Sequence, residues 1–252
     1  MRIRHYFILF ILGILVAIPI ASLEKWPGYM DADYYFAGGQ RIAAGHGFSE
    51  IILWNYLDDP QGIPHPSHGY WMPMTSILTA LGMMTFGNLS FNAGRIGFII
   101  IAGAISVVTG ALAYSFTSRK VSTYLAGILA ALSGFYAPFL VTTDSFGLYA
   151  LVGGLIMLVL GWYSKEETQE NKIKRFIAFM LLGLMAGIMQ LTRTDGLLWF
   201  AVLAAMVLCN LVKVLLPMLS SRHEYLTDKW IRIRSIAADF LFLVSGYFLI
   251  IT

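Results

Sequence analysis

Seven stretches of this chain run for 17 residues or more with almost no charge, at residues 6–23, 96–117, 122–142, 146–163, 176–192, 196–218 and 235–251. A helix needs about 20 apolar residues, with about 17 as the lower limit, to cross the hydrocarbon of a bilayer. Within hydrocarbon each backbone N–H and C=O must find its partner inside the segment, so such runs are helices. Composition agrees: 58% of the residues are hydrophobic and 12% are charged, where a soluble domain carries about 25% charged residues. The sequence predicts an all-α integral membrane protein with seven transmembrane helices.

The first run follows Arg2, Arg4 and His5. Ala21-Ser22-Leu23 is a poor cleavage site, which favours an uncleaved signal anchor over a removed signal peptide. Either puts the next segment outside the cytoplasm. Residues 73–87 are apolar but only 15 long, and they decide the sidedness of everything after them. If they do not cross, twelve basic residues face the cytoplasm: Arg2, Arg4, Arg119, Lys120, Lys165, Lys172, Lys174, Arg175, Arg222, Lys229, Arg232 and Arg234. The outer segments then keep only Lys25, Arg41, Arg95 and Arg193, and Lys213 lies within a run. That asymmetry satisfies the positive-inside rule, and a crossing at 73–87 would reverse it. Residues 73–87 are therefore expected to form an amphipathic helix on the outer surface. The protein is expected to be multi-pass in the cell (plasma) membrane, with its N-terminus cytoplasmic. On this topology Glu24, Asp31, Asp33, Glu50, Asp58, Asp59, Asp144 and Asp195 all fall outside, with His46, His65 and His68.

Residues 24–72 form a first outer loop of 49 residues that holds, among other aromatics, Trp26, Tyr29, Tyr35, Trp54, Tyr56 and Tyr70. A disordered tether carries few aromatics, so a folded loop at headgroup level is expected. Asp33–Ala44 reads as a short helix ended by Gly45 and Gly47. The carboxylates of Asp31-Ala32-Asp33 either diverge on a strand or converge in a turn. Converging, they could hold a divalent cation or share a substrate hydroxyl; otherwise Asp33 is an N-cap. His65 and His68, amid Pro66, Gly69 and Pro73, offer metal ligands, contacts to a phosphate or headgroup, or simple turn residues.

Charged residues also mark the ends of the apolar runs. Arg95 opens the second, Asp144 follows Thr142-Thr143 where the third emerges, and Arg193-Thr194-Asp195 joins the fifth to the sixth. Arg193 and Asp195 so near hydrocarbon form a snorkelling pair or a cationic site for an anionic headgroup. Asp239 is expected to reach back to Arg232 or the interface. Residues 164–175 read as a solvated turn, and 219–234 as a basic amphipathic stretch on the inner leaflet. The single cysteine, Cys209, lies in an apolar run, so no internal disulfide exists and a lipid-facing or packing role is expected. There is no G-x-x-x-x-G-K-[ST] and no G-x-G-x-x-G after a strand, which excludes the common nucleotide sites. No nucleic-acid partner is expected.

Four stretches, in this order, carry a resemblance: Asp31-Ala32-Asp33-Tyr34-Tyr35 with Ala43-Ala44-Gly45-His46-Gly47-Phe48; Tyr70-Trp71-Met72-Pro73 through Phe86-Gly87-Asn88 to Arg95; Thr143-Asp144-Ser145; and Gln190 through Gly196. The chain resembles the polytopic C-type glycosyltransferases that use lipid-phosphate sugars. It is most similar to the bacterial branch with protein O-mannosyltransferase-like and aminoarabinose-transferase-like enzymes. The resemblance implies that residues 1–252 are the N-terminal seven-helix module, with 24–95 as the outer loop and its interfacial helix. The family usually has more spans and often a soluble outer domain, so a missing C-terminal part is expected. The implied reaction transfers a sugar, with inversion, from a polyprenyl-phosphate donor to a hydroxyl of a glycan, lipid or protein acceptor on the outer face. By the family's offset to its aromatic pair, Asp31 is the general base and Asp33 the runner-up. Asp144 corresponds to a second acid, and Arg193, or His65 and His68, to contacts with the carrier phosphate. Asp33, Tyr35, Tyr70, Arg95 and Asp195 complete the expected substrate-binding set. No cofactor is certain; a divalent metal ion, if used, would fall to Asp31 and Asp144. The alternatives are a transporter or flippase for lipid or small molecules, and a non-catalytic membrane subunit. Against transport stand the charges at helix ends and the lack of an internal repeat.

Overall fold

The computed structural model describes residues 1–53, 61–220 and 226–252, with backbone alone between 217 and 229. Trp54, Tyr56, Asp58, Asp59 and Arg222 lie outside the described residues. The chain divides into two compact units, Met1–Leu155 and Ile156–Thr252.

The first unit opens with α1 (Ile3–Leu23) and α2 (Met30–Ala43). A two-residue antiparallel pair follows, β1 (Ser49–Glu50) with β2 (His65–Pro66), in the register Ser49↔Pro66 and Glu50↔His65. Then come α3 (Met74–Phe86), α4 (Phe91–Gly94), α5 (Ile96–Thr117), α6 (Lys120–Leu132) and α7 (Ala137–Val141). The boundary between the units falls inside α8 (Ser145–Tyr163). The second unit continues with α9 (Glu166–Glu170), α10 (Lys172–Thr192), a 3-10 turn at Thr194–Gly196, α11 (Leu197–Ser220) and α12 (Leu226–Ile251).

Among the described residues, six stretches are long and apolar enough to cross a membrane: α1, α4 with α5, α8, α10, most of α11, and Trp230–Ile251 of α12. The protein is an all-α, membrane-like chain. The run expected as a third span is two helices, α6 and α7, joined through a short 3-10 turn and bent by 49°. The break has a local cause. Ser133 and Gly134 both take positive φ, 35° and 51°, and the Ser133 hydroxyl donates back to the Ala130 carbonyl. Counted as one span, the bent pair would make seven.

Close approach of backbones organises each unit. In the first, Leu9 of α1 sits in a socket between Gly110 of α5 and Gly127 of α6. A Cβ on either glycine would come within 2.7 Å of its methyl groups. His5 Nδ1 and the Tyr124 hydroxyl, 2.6 Å apart, join α1 to α6. In the second unit, Gly183 and Gly187 of α10 meet Gly246 and its neighbours on α12. A Cβ on Gly183 would lie 2.1 Å from the Leu243 carbonyl oxygen. Small residues spaced four apart let membrane helices pack this closely.

Several local expectations are corrected. α2 starts at Met30, three residues before Asp33, because Tyr29 occupies the N-cap position; Asp31 and Asp33 both lie in the first turn and neither caps it. Its end agrees with the sequence: Gly45 and Gly47 turn the chain with φ of +82° and +63°. Of the stretch 219–234, residues 226–234 form the start of α12. Asp239 pairs with Arg175 of α10 and not with Arg232. Cys209 is exposed on α11. The 13 residues of α3 reach about 20 Å at 1.5 Å per residue, short of the ~30 Å of hydrocarbon. Its buried face packs through Ser76 and Thr79 on Gly38 and Gly39 of α2, and through Met83 on Gly94 of α4.

Candidate functional site

The start of the 24–72 loop is pinned to the junction of α7 and α8 by hydroxyl groups. Thr142 Oγ1 donates to the Pro27 carbonyl at 3.1 Å, and Thr143 Oγ1 to the Ala32 carbonyl at 2.9 Å. Both threonines are buried. The Tyr29 hydroxyl donates to Asp144 Oδ2 across the same seam.

Asp144 precedes α8, where helix N–H groups lack intrahelical partners. Its Oδ1 accepts from the Ser145 N–H and, at 2.9 Å, from the Ser145 hydroxyl. With 1% of its surface exposed, Asp144 is hydrogen-bonded as a buried carboxylate must be. Burial pushes its carboxyl above the usual range; the Tyr29 and Ser145 donors oppose this, and the charge of Asp31 adds to it. Burial and the bond to Asp144 push the Tyr29 phenol upward, so it stays protonated and donating at neutral pH.

Asp31 is half-buried in the first turn of α2, where free N–H groups favour negative charge. Its charge reaches both Asp144 and Tyr29, so the two acids share one local field although 113 positions separate them. Asp33 is exposed and does not converge with Asp31. Two residues apart on a helix, they point about 200° apart. The acid that feels the charge of Asp31 is Asp144.

Glu24 and Arg95 close the next corner. Arg95 is buried; its Nη1 donates to the Glu24 carbonyl at 2.8 Å and its Nη2 to Asn92 Oδ1 at 2.5 Å. Its guanidinium carbon lies 4.5 Å from the centre of the Phe91 ring. This fork ties the end of α1 to α4. Burial raises the Glu24 carboxyl to about 6, against the pull of Arg95. Glu24 Oε2 is buried without a hydrogen-bond partner. Glu24, Arg95, Asn92, Lys25 and Ser22 line an open cavity of about 460 Å³.

The two histidines stand in the loop itself. His65 is buried on β2; its Nε2 donates to the Ile52 carbonyl at 2.9 Å and lies 3.7 Å from the Glu50 carboxylate. His68, at φ 63°, donates its backbone N–H to the Tyr34 hydroxyl. Ser76 gives its one proton to the Tyr35 carbonyl, so His68 Nε2 donates to Ser76 while Nδ1 accepts from Ser67. Both ring nitrogens are thus used internally, and burial holds the ring down at about 4. Tyr35 is buried, stacked edge-on with Tyr34, and Tyr70 is 65% exposed beside Trp71. In the second unit Arg193 Nε and Asp195 Oδ1 form a pair at 3.1 Å. Gly196 is required in that turn: a Cβ there would lie 2.1 Å from the Met189 carbonyl oxygen.

Among the described residues no three His, Cys, Asp or Glu side chains converge as a metal-ligand set. Sequence reasoning named Tyr29, Ser145 and Glu24 but gave them no role in the site, although they hold or flank the two acids. A tyrosine just before Asp31 and a serine just after Asp144 were the available signals. The chain matches no protein-family model, no curated protein and no solved structure.

Proposed function

We propose that this chain is a membrane glycosyltransferase module that moves a sugar from a polyprenyl-phosphate donor to an acceptor hydroxyl, with Asp31 as general base. The observation that carries this is the contrast between two unlike carboxylates that the loop and the α7–α8 junction bring within reach of each other's charge. Asp31 is half-buried with access to solvent, while Asp144 is buried and fully hydrogen-bonded. One is free to take a proton; the other orients its surroundings through Tyr29. The order of motifs in the sequence supports the same reading.

In the proposed step Asp31 removes the proton from the acceptor hydroxyl as that oxygen attacks the anomeric carbon. The bond from that carbon to the phosphate oxygen breaks, and polyprenyl phosphate leaves with the electron pair. The donor arrives already activated, so the enzyme has to supply base catalysis and stabilise phosphate charge. In this reading the bent pair of α6 and α7 counts as one span, giving seven, and α3 lies along the interface. The N-terminus is cytoplasmic and the Asp31 side faces outward, as the distribution of basic residues favours.

The test uses the full chain in vesicles containing a donor labelled in the sugar, with a membrane extract as acceptor. Asp31→Asn is expected to reduce sugar transfer by about 10²–10⁴-fold, the usual contribution of a positioned base. Asp31→Glu should keep part of the rate, and Tyr29→Phe should reduce it while sparing donor binding. Undiminished transfer by Asp31→Asn would remove Asp31 as the base. Label that crosses the bilayer still attached to its lipid would favour a flippase.

A further inference from the structure

We propose that the cavity between the start of α10 and the stretch Ile231–Phe242 of α12 binds the acidic headgroup of a membrane phospholipid. This does not rest on the sugar-transfer reading, since every residue involved lies in the second unit and none belongs to the Asp31 site. The cavity measures about 390 Å³ and is lined by Lys172, Arg175 and Arg234, with Ser235 beside them and Phe176 and Phe242 as apolar walls. Its size falls in the range of small-molecule sites, about 300–1,000 Å³.

Charge selects the occupant. Asp239, buried at the floor, is held by Arg175 through Nε at 3.3 Å and through a second bond from Nη2. That pair is neutral as a unit. Lys172 and Arg234 have no carboxylate partner among the described residues, so the lining keeps two uncompensated positive charges from two different helices. Arginine and lysine in this arrangement suit a phosphate group, Arg through its fork and Lys as a point charge.

Position selects a lipid over a soluble anion. Lys172 is the first residue of a candidate span, and Arg234 lies one turn inside another that begins at Trp230. The cavity therefore opens where polar headgroups meet hydrocarbon. Ile173 and Ile177 are 70% and 41% exposed on the adjoining face of α10, which offers apolar surface to acyl chains. Basic pockets between membrane helices take acidic headgroups in this way.

Native mass spectrometry of the full chain, released from a neutral detergent, tests this with phosphatidylglycerol and phosphatidylcholine of matched acyl chains. Phosphatidylglycerol adducts should persist well beyond phosphatidylcholine adducts. Each cation is worth about fivefold in affinity, so Lys172→Gln with Arg234→Gln should weaken phosphatidylglycerol binding by about 25-fold. Both side chains are exposed, with no carboxylate partner among the described residues, so the melting temperature should hold. Ala238→Leu, which fills the cavity without changing charge, should also lower retention. Equal retention of the two lipids overturns the proposal, as does binding that survives these substitutions. So does an equal loss from Arg119→Gln with Lys120→Gln, which lie outside the cavity. Displacement of the lipid by millimolar glycerol phosphate would assign the site to a soluble phosphate and overturn the lipid commitment.

Discussion

His68 and Glu24 are both titratable groups that burial drives toward neutrality, and they bias the protein in opposite pH directions. His68 is held at about 4, below its ordinary 6.5. As the pH falls through 6.5 the unfolded chain gains a proton there and the folded chain does not. The neutral ring contributes stability above pH 6.5 that is lost progressively toward pH 4, about 2 kcal/mol of it by pH 5. Glu24 is raised to about 6 from 4.5. Its contribution is complete below pH 4.5 and is lost as the pH rises through 6. Two measurements separate them. Amide protection factors in residues 61–76, corrected for the intrinsic pH dependence of exchange, should fall between pH 7 and pH 5, and an unchanged protection factor would mean that the His68 network is absent. Glu24→Gln should raise the melting temperature at pH 7.5 and leave it nearly unchanged at pH 4.5; a loss at pH 7.5 would show that the carboxylate is needed there.

At the scale of elements, hydropathy revealed where helices are apolar but not where they begin, break or touch. α12 illustrates the first failure. Its apolar signal stops at the charged residues of 226–234, yet those residues are good helix formers and the helix runs through them. Ser133 and Gly134 illustrate the second, since two left-handed residues break a run whose hydropathy is continuous. The pairing of Asp239 with Arg175 needed the packing of α10 against α12, which no local pattern contains. That packing is itself testable. A side chain at Gly246 would place its Cβ 2.5 Å from the Met180 carbonyl oxygen, on a backbone that cannot rotate away. Gly246→Leu should therefore cost about 2 kcal/mol or more, seen as a lower melting temperature in detergent. Gly161→Leu, where nothing lies within 4 Å, should be neutral, and equal losses at the two positions would deny the close crossing.

For the whole molecule, membrane character was legible in the sequence because it depends on composition and run length alone. Sidedness rested on one inference, that residues 73–87 do not cross. Periplasmic and cytoplasmic reporters fused after Ser67 and after Lys120 examine it directly: an outward signal at the first and a cytoplasmic signal at the second are expected. A cytoplasmic signal at Ser67 would invert the arrangement. Of the candidate site, Asp31 and Asp144 were named from sequence through the order of motifs and the family resemblance it carries. Their connection could not be, because Tyr29, Thr142 and Thr143 are ordinary residues until the chain brings them together. Those three bonds join positions 111 to 115 residues apart. A ribosome adds about 5–20 residues per second, so the loop waits roughly 6–23 s after its own synthesis for its partners. During that interval Asp31 exists without Asp144, and the acidic seam is absent until Thr142 to Ser145 have been made and delivered. The order of insertion, and not the loop's own sequence, then decides when this part of the protein acquires its chemistry.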